Sequence, residues 1–445
     1  MARKGILLSD HFNYRRLLRF TLPTIVMMVF TSIYSVVDGI FISNFVGKIP
    51  YAAINFIMPF LMIFGTLGLM VGTGGSALVA KLLGEGDSGK ANRVFSMLVA
   101  VIVVTGVAIS LIGLVFIRDV ALWLGAGDVL VEDCVAYATI LLPAITLVLL
   151  QSAFQAFLVT AERPTLGLAF TVGAGIVNIL LDWLFIVVFG WGLKGAAFAT
   201  VVGQCVGGLG PFVYFACRNR SPLRFTRWRF DGRALWQSLL NGSSEMVTSV
   251  SGSVVAMLYN YQLMKYIGED GVAAFGTIMY VNFIFLGIYA GYSVGSGPIV
   301  SYHYGAGNDL ELKNLLRRSL VIIGCMAGII TGGAQLLAYP LAKMFVSYDA
   351  GLFALTMHAF RLYSLSFLPA GFSIYASSFF TALNNGVISA TISFLRTFVF
   401  EIGAVLMIPL WLGIDGIWLS VDFAETAALI ISIAMLLAFR KRYRY

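Results

Sequence analysis

The sequence predicts an all-α integral membrane protein of twelve transmembrane helices, built as two six-helix parallel repeats. Three observations lead there. The chain is 59% hydrophobic and only 11% charged, with mean hydropathy +0.91, whereas a soluble domain carries roughly 25% charged residues. Apolar stretches long enough to cross a bilayer, at ~20 residues per crossing, recur along the whole length. Basic residues gather in alternate gaps between these stretches, as the positive-inside rule requires of a polytopic protein. The formal charge of +8 therefore reads as topology, with no nucleic-acid partner.

Met1 to Arg19 lacks the apolar core and cleavage site of a signal peptide. It reads as a basic cytoplasmic arm (1–19) lying on the membrane surface through Phe12, Leu17 and Leu18. Twelve spans follow, near 17–43, 53–82, 93–117, 134–160, 165–189, 195–217, 235–264, 272–302, 315–340, 353–382, 387–410 and 416–439. The gaps on the side of the termini hold most of the Lys and Arg, among them Arg3, Lys4, Arg15, Arg16, Arg19, Lys81, Lys90, Arg93 and Arg163. The opposite side keeps Lys48, Arg118, Lys194, Lys265 and Lys343. Both termini are therefore expected in the cytoplasm.

A basic linker at 218–234 separates an N-lobe (20–217) from a C-lobe (235–439), and a basic tail occupies 440–445. The lobes repeat. A shift of 221 residues lays FVGKIPYAAINFIM (45–58) on YIGEDGVAAFGTIM (266–279), LGEGD (83–87) on YGAGN (304–308), and Gly192–Gly195 on Gly413–Gly416. Around Pro143 and Pro369 the best shift is 226, which implies a small insertion. Six spans per half give both halves one orientation, with the substrate path expected between them. Gly68 and Gly72, and Gly287, Gly291 and Gly295, recur at four-residue spacing and suit close helix packing. Gly72–Ser76 is no phosphate loop, because it lacks the Gly-Lys-Ser/Thr ending and a preceding strand. Cys134, Cys205, Cys217 and Cys325 stand alone and read as small packing residues.

The first span, TLPTIVMMVFTSIYSVVDGIFISNFVG, carries Asp38 with no basic residue beside it. A charge at membrane depth costs ~2.5–3.5 kcal/mol on insertion scales, so it marks a site facing the protein interior. The alternative is a carboxylate high enough to reach the headgroups. The fifth span supplies Asn178 and Asp182, one helical turn apart on one face. Thr200 lies about two turns into the sixth span. If spans one, five and six are neighbours, these residues pool their oxygens. Two adjacent carboxylates do not both stay ionised cheaply, so the pair should share a proton or take up a hard cation such as Na⁺. That is the chemistry of a coupling-ion site.

The chain resembles the multidrug and toxic compound extrusion (MATE) family of secondary transporters over essentially its whole length. The 6+6 layout, the proline-to-aspartate first span, the LGEGD turn, the N-x-x-x-D fifth span and the G-x-x-G-A-A-x-A-T start of the sixth carry the resemblance. It implies a V-shaped protein, in a plasma or inner membrane, that exports lipophilic, often cationic drugs by alternating access in exchange for H⁺ or Na⁺. In the DinF-like branch, whose acids lie in the N-terminal half, the ion-binding motif positions fall on Asp38, Asn178, Asp182 and Thr200, with Tyr137 from the fourth span. These would also be the metal ligands if the ion is Na⁺; no other cofactor is implied. The 221 shift puts Tyr259, Val399, Gly403 and Val421 at the equivalent C-lobe places, so one N-lobe ion site is expected.

Further charges are candidates for secondary ion or substrate contacts. Glu245 lies early in the seventh span and reads either as a binding acid or as a carboxylate at a helix start. Arg361, Arg396 and Glu401 lie in spans ten and eleven and read as a structural ion pair lining the C-lobe, with a partner on another span equally open. Met27, Met28, Tyr34, Met58, Phe154, Met257, Tyr259, Met279 and Tyr280 are the stock from which a cavity for flat cations would draw, or simply core and lipid-facing residues. A lipid-linked saccharide flippase is the alternative function, but it would need several arginines for a pyrophosphate, and only Arg361 and Arg396 offer themselves. An intramembrane enzyme is disfavoured: His11, His303 and His358 form no HExxH motif. A channel would need a charged ring or filter sequence that neither half shows. Nothing demands more than a monomer.

Overall fold

A computed structural model of the chain describes residues 5–46, 48–123, 128–346 and 349–445, and among these every regular element is helical. Arg3, Lys4 and Gly47 lie outside the described residues, as does the side chain of Lys48. The N-terminal half comprises α1 (Tyr14–Phe45), α2 (Lys48–Gly84), α3 (Ser88–Trp123), α4 (Asp128–Leu141), α5 (Ile145–Thr160), α6 (Pro164–Asp182) and α7 (Gly192–Ala216). The C-terminal half comprises α8 (Gly232–Tyr266), α9 (Glu269–Gly305), α10 (Asp309–Val346), α11 (Ala350–Tyr363), α12 (Phe367–Ala382), α13 (Gly386–Ser393), α14 (Ile402–Met407) and α15 (Pro409–Tyr443). Among the described residues, ten helical stretches are long and apolar enough to cross a membrane. The expected spans at 235–264 and 353–382 are helical too, but α8 carries a polar run, NGSSE, and α11 and α12 are short.

The repeat is visible in the backbone. A 3-10 turn joins α4 to α5 at Leu142–Ala144, and another joins α11 to α12 at Ser364–Ser366, 222 residues on. Gly192 and Gly413 both take positive φ, 55° and 58°, where a side chain would be strained. The expected alignment of Pro143 with Pro369 does not hold. Pro143 sits inside the first 3-10 turn, whereas Pro369 lies past the second one, within α12, so the shift there is 222, one residue more than elsewhere, and not 226.

The halves meet through α1 against α9 and α2 against α8 and α9. Small residues permit this closeness: a β-carbon at Gly291 would fall 2.5 Å from Ile25 Cα. Near the termini, Gly74 abuts Ser238 and Gly242, and Gly84 abuts Tyr302. Toward the other end, Gly39, Gly252 and Gly276 face open space. The two halves are thus pressed together at the end that carries the termini.

The N-terminal arm corrects another expectation. Leu8, Phe12 and Leu17 are buried at 1%, 0% and 0% exposure, whereas Leu18 is exposed along with Leu7 and Tyr14. Leu8 N–H donates to Glu162 Oε1 (2.8 Å) on the α5–α6 turn. Phe12 N–H donates to Glu311 Oε1 (2.9 Å) on α10, and His11 Nδ1 pairs with Glu311 Oε2 at 2.6 Å. Asn314 and Arg318 both donate to Phe12 O. The arm therefore inserts between the halves instead of lying on lipid. Apolar residues in an amphipathic stretch seek any dry surface, and here another part of the protein offers it. The cysteines are free; Cys134 is buried as expected, but Cys217 and Cys325 are exposed.

Candidate functional site

Three helices build the acid site. α1 packs on α6, and α6 packs on α7. Gly175 and Gly203 let them approach: a β-carbon at Gly175 would fall 2.5 Å from the Phe30 ring, and one at Gly203 would fall 3.0 Å from Asn178 Cβ. Asp182 is fully buried and Asn178 is 1% exposed, while Asp38 is half-buried. The carboxyl groups of Asp38 and Asp182 lie within hydrogen-bonding reach of each other. One oxygen of each, Oδ1, is buried without a partner.

Asn178 ties the site together. With the amide oriented to match its neighbours' donors and acceptors, its nitrogen donates to Asp182 Oδ2 (3.0 Å) and to Tyr34 Oη (3.2 Å), and its oxygen accepts from the Thr200 backbone N–H at 3.0 Å. The Thr200 hydroxyl donates to Ala196 O (3.0 Å) on its own helix. Tyr137, from α4, is 1% exposed and stands beside both acids. The five residues expected from sequence are thus together, and the structure adds Tyr34. That residue sits one turn before Asp38, so the same i, i+4 spacing that links Asn178 to Asp182 pointed to it. A π-helical stretch, Trp183–Val188, begins directly after Asp182; such wide turns break the regular ladder and cluster at functional places. Among the described residues, no basic side chain acts on either acid. Buried oxygens without a counter-charge can hold a proton or a small hard cation.

The secondary candidates scatter. Glu245 is half-buried on α8, with no side-chain partner among the described residues. It does not cap the helix; Asp231 does, accepting from Arg233 N–H and Ala234 N–H at 3.1 Å. Arg361 is exposed and forms no ion pair among the described residues. Arg396 pairs with Glu425 of α15 instead of with Glu401: its Nε donates to both carboxylate oxygens at 2.9 Å and its Nη2 to Oε1 at 2.7 Å. Sequence reasoning passed over Glu425 and its neighbour Asp422; two acids at i, i+3 in an apolar last span were the available signal. Of the aromatic and methionine stock, Met27, Phe154 and Tyr259 are core residues at 1% exposure, whereas Met257 is 70% exposed. Cavities of about 450 and 1020 Å³ border other residues: Lys81, Tyr304 and Arg442 line the first, and Lys90, Arg93, Arg227 and Arg229 the second.

With this geometry in place, the comparisons with known proteins can be read. The MatE family model matches residues 23–184 and 246–406, one segment in each half. The chain belongs to the MatE family. It is 22% identical over 431 residues to the multidrug export protein MepA of Staphylococcus haemolyticus, covering 96% of this chain and 94% of that protein. It is 27% identical over 419 residues to a protein of Shewanella oneidensis named as an FAD transporter, covering 91% and 89%. A solved outward-facing structure of a multidrug resistance MATE family transporter superposes with a TM-score of 0.92 at 22% identity, covering 100% of this chain and 99% of that one. A MOP-superfamily transporter from Pyrococcus furiosus gives 0.91 at 21% identity, with 100% coverage of both. This MatE chain is a multi-pass membrane transporter of small molecules, not an enzyme.

Proposed function

We propose that this MatE protein is an antiporter that exports lipophilic cations in exchange for H⁺ or Na⁺ bound at Asp38 and Asp182. The observation that carries the reading is the contact of two intramembrane carboxyl groups with no basic partner among the described residues. Asn178, Tyr34, Tyr137 and Thr200 orient the pair, and with Na⁺ the oxygens of Asp38, Asn178, Asp182 and Thr200 would serve as ligands. Ion entry changes how α1 packs on α6. α1 runs unbroken through Pro23, and bending there would deform the adjoining substrate path and release the drug. The protein works as a monomer in a plasma or inner membrane with both termini cytoplasmic, and the close packing near the termini matches a path open to the outside. The flippase alternative loses support because Arg361 is exposed and Arg396 is engaged by Glu425.

Ethidium efflux from reconstituted liposomes tests this, with a pH gradient and a Na⁺ gradient imposed separately. Efflux driven by one gradient in wild type and absent in Asp38→Asn is the expected result. Efflux indifferent to both gradients, or retained in Asp38→Asn, contradicts it. Because one relative is named as an FAD transporter, FAD efflux in the same liposomes is the comparison substrate.

A further inference from the structure

The basic linker between the halves is strapped onto α3 and borders a charged cavity that the acid site leaves unexplained. Leu223 is fully buried, and Phe225 stacks on Phe95 of α3 with ring centres 5.3 Å apart. Asn92 Oδ1 accepts from Arg224 N–H (2.7 Å), Ser96 Oγ from Thr226 N–H (3.0 Å) and Met97 Sδ from Asp231 N–H (3.1 Å). The strap therefore lies where α3 begins, at Ser88, and α7 ends, at Ala216. Both helices are apolar enough to cross a membrane. The strap is thus held at the membrane surface, on the side of the termini.

Strap and helix together line the cavity of about 1020 Å³. Lys90 and Arg93 border it from α3, Arg227 and Arg229 from the strap, and Arg233 from the first turn of α8. The one carboxylate in the lining, Asp231, is engaged as the cap of α8, accepting from the Arg233 and Ala234 backbone N–H groups. None of the five cations enters an ion pair among the described residues. A positive-inside bias accounts for basic residues on this side, but it does not gather them around one cavity. A recess lined by one sign of charge concentrates counter-ions. Guanidinium groups suit phosphate in particular, because their planar N–H forks match two of its oxygens.

The lining is also apolar. Val94 and Met97, both buried, belong to it, as do Trp228 and Phe230, which are 42% and 69% exposed. Trp236, one turn into α8, is exposed as well. Large rings uncovered at the end of membrane-spanning helices are at home among lipid headgroups. A water-soluble phosphate would leave these rings uncovered, whereas a phospholipid offers phosphate to the cations and hydrocarbon to the rings. We infer that this cavity binds the phosphate headgroup of an anionic phospholipid, with Arg93, Arg227 and Arg229 on the phosphate and Trp228 and Phe230 beside the glycerol and upper chains. The site shares no residue with the Asp38–Asp182 site and stands independently of which ion those acids bind.

Brominated lipids quench tryptophans that they touch, so Trp228 reports occupancy. The full-length protein is placed in phosphatidylcholine nanodiscs doped with brominated phosphatidylglycerol or brominated phosphatidylcholine, and the signal of the matching Trp228→Phe protein is subtracted. Wild type should show a several-fold preference for phosphatidylglycerol, because each cation near the surface strengthens anionic-lipid binding about fivefold. Arg93→Gln/Arg227→Gln/Arg229→Gln should be quenched alike by both lipids. Lys313→Gln/Arg317→Gln/Arg440→Gln removes as much charge from the C-lobe and should keep the preference. The proposal is overturned if wild type shows no preference, if the first triple variant retains it, or if the second loses it equally. Loss of the preference on adding inorganic phosphate at constant ionic strength also overturns it, assigning the cavity to a free anion. A thermal unfolding curve on each variant separates loss of the site from loss of the fold.

Discussion

The two halves share a backbone plan and differ in how they treat buried charge. In the N-lobe, two carboxyl groups meet among amide, hydroxyl and phenol partners, with no cation supplied by the described residues. In the C-lobe, Glu401 and Glu425 act on one arginine, Arg396, and Glu425 alone holds it through a forked contact. The difference teaches that a duplicated scaffold hands down a place in the membrane, while a few substitutions decide what occupies it. Under the 221 shift Tyr259 stands where Asp38 would be, and the C-lobe carries its acids on its last helices instead.

The largest effect should come from the N-lobe. Asp182→Asn and Asp38→Asn each leave the other carboxyl without its partner, and gradient-driven ethidium efflux should fall to the rate of empty liposomes. The equivalent loss from Glu425→Gln alone, with Asp38 and Asp182 intact and the protein folded, would reverse the ranking of the halves. The next effect is on stability. Arg396→Gln strands Glu425, which is 6% exposed, and breaking a buried pair by removing one partner costs ~3–5 kcal/mol. The double change Arg396→Met with Glu425→Leu should recover most of that loss, as read from thermal unfolding in detergent.

A smaller change sharpens the account of Asn178. Tyr34→Phe removes the acceptor of one 3.2 Å hydrogen bond while leaving the ring in place. A net loss of about 1 kcal/mol is expected for such a bond, read as a several-fold shift in the ion concentration that half-saturates efflux. The smallest effect concerns the arm that anchors to both halves. Burial pushes the Glu162 carboxyl above its ordinary value, although the Leu8 N–H pulls the other way. The folded chain therefore holds that proton to higher pH than the unfolded one, and the associated stability is full below the ordinary carboxylate value and lost as pH rises through the raised one. Glu162→Gln keeps an acceptor for Leu8 but cannot ionise. Its unfolding temperature relative to wild type should rise on going from acid to neutral pH.

Much of this was legible in the sequence because it rests on local chemistry. Hydropathy located the spans, and the spacing of Asn178 and Asp182 put both on one face. Asp38 announced itself as a lone acid in an apolar run. What was not legible depended on tertiary register. The proline alignment misled because prolines recur wherever a helix is interrupted, not only at equivalent places. Asp422 and Glu425 escaped a fixed-shift comparison because they lie one and four positions past Val421, the counterpart of Thr200, on α15. Phe12 and Leu17 were rightly read as seeking cover, but the sequence does not say whether lipid or protein provides it.

The central claim is that the Asp38–Asp182 pair is where ion and drug binding are coupled. Coupling is reciprocal, so an ion that drives drug release must weaken drug binding by the same factor as drug weakens ion binding. The most direct measurement is ethidium affinity of the purified protein, by fluorescence anisotropy, as a function of pH at fixed Na⁺ and of Na⁺ at fixed pH, in wild type and Asp38→Asn. The account predicts that affinity in wild type falls as one of the two ions is raised and that Asp38→Asn abolishes this dependence while still binding ethidium. The same ion dependence surviving in Asp38→Asn would contradict it.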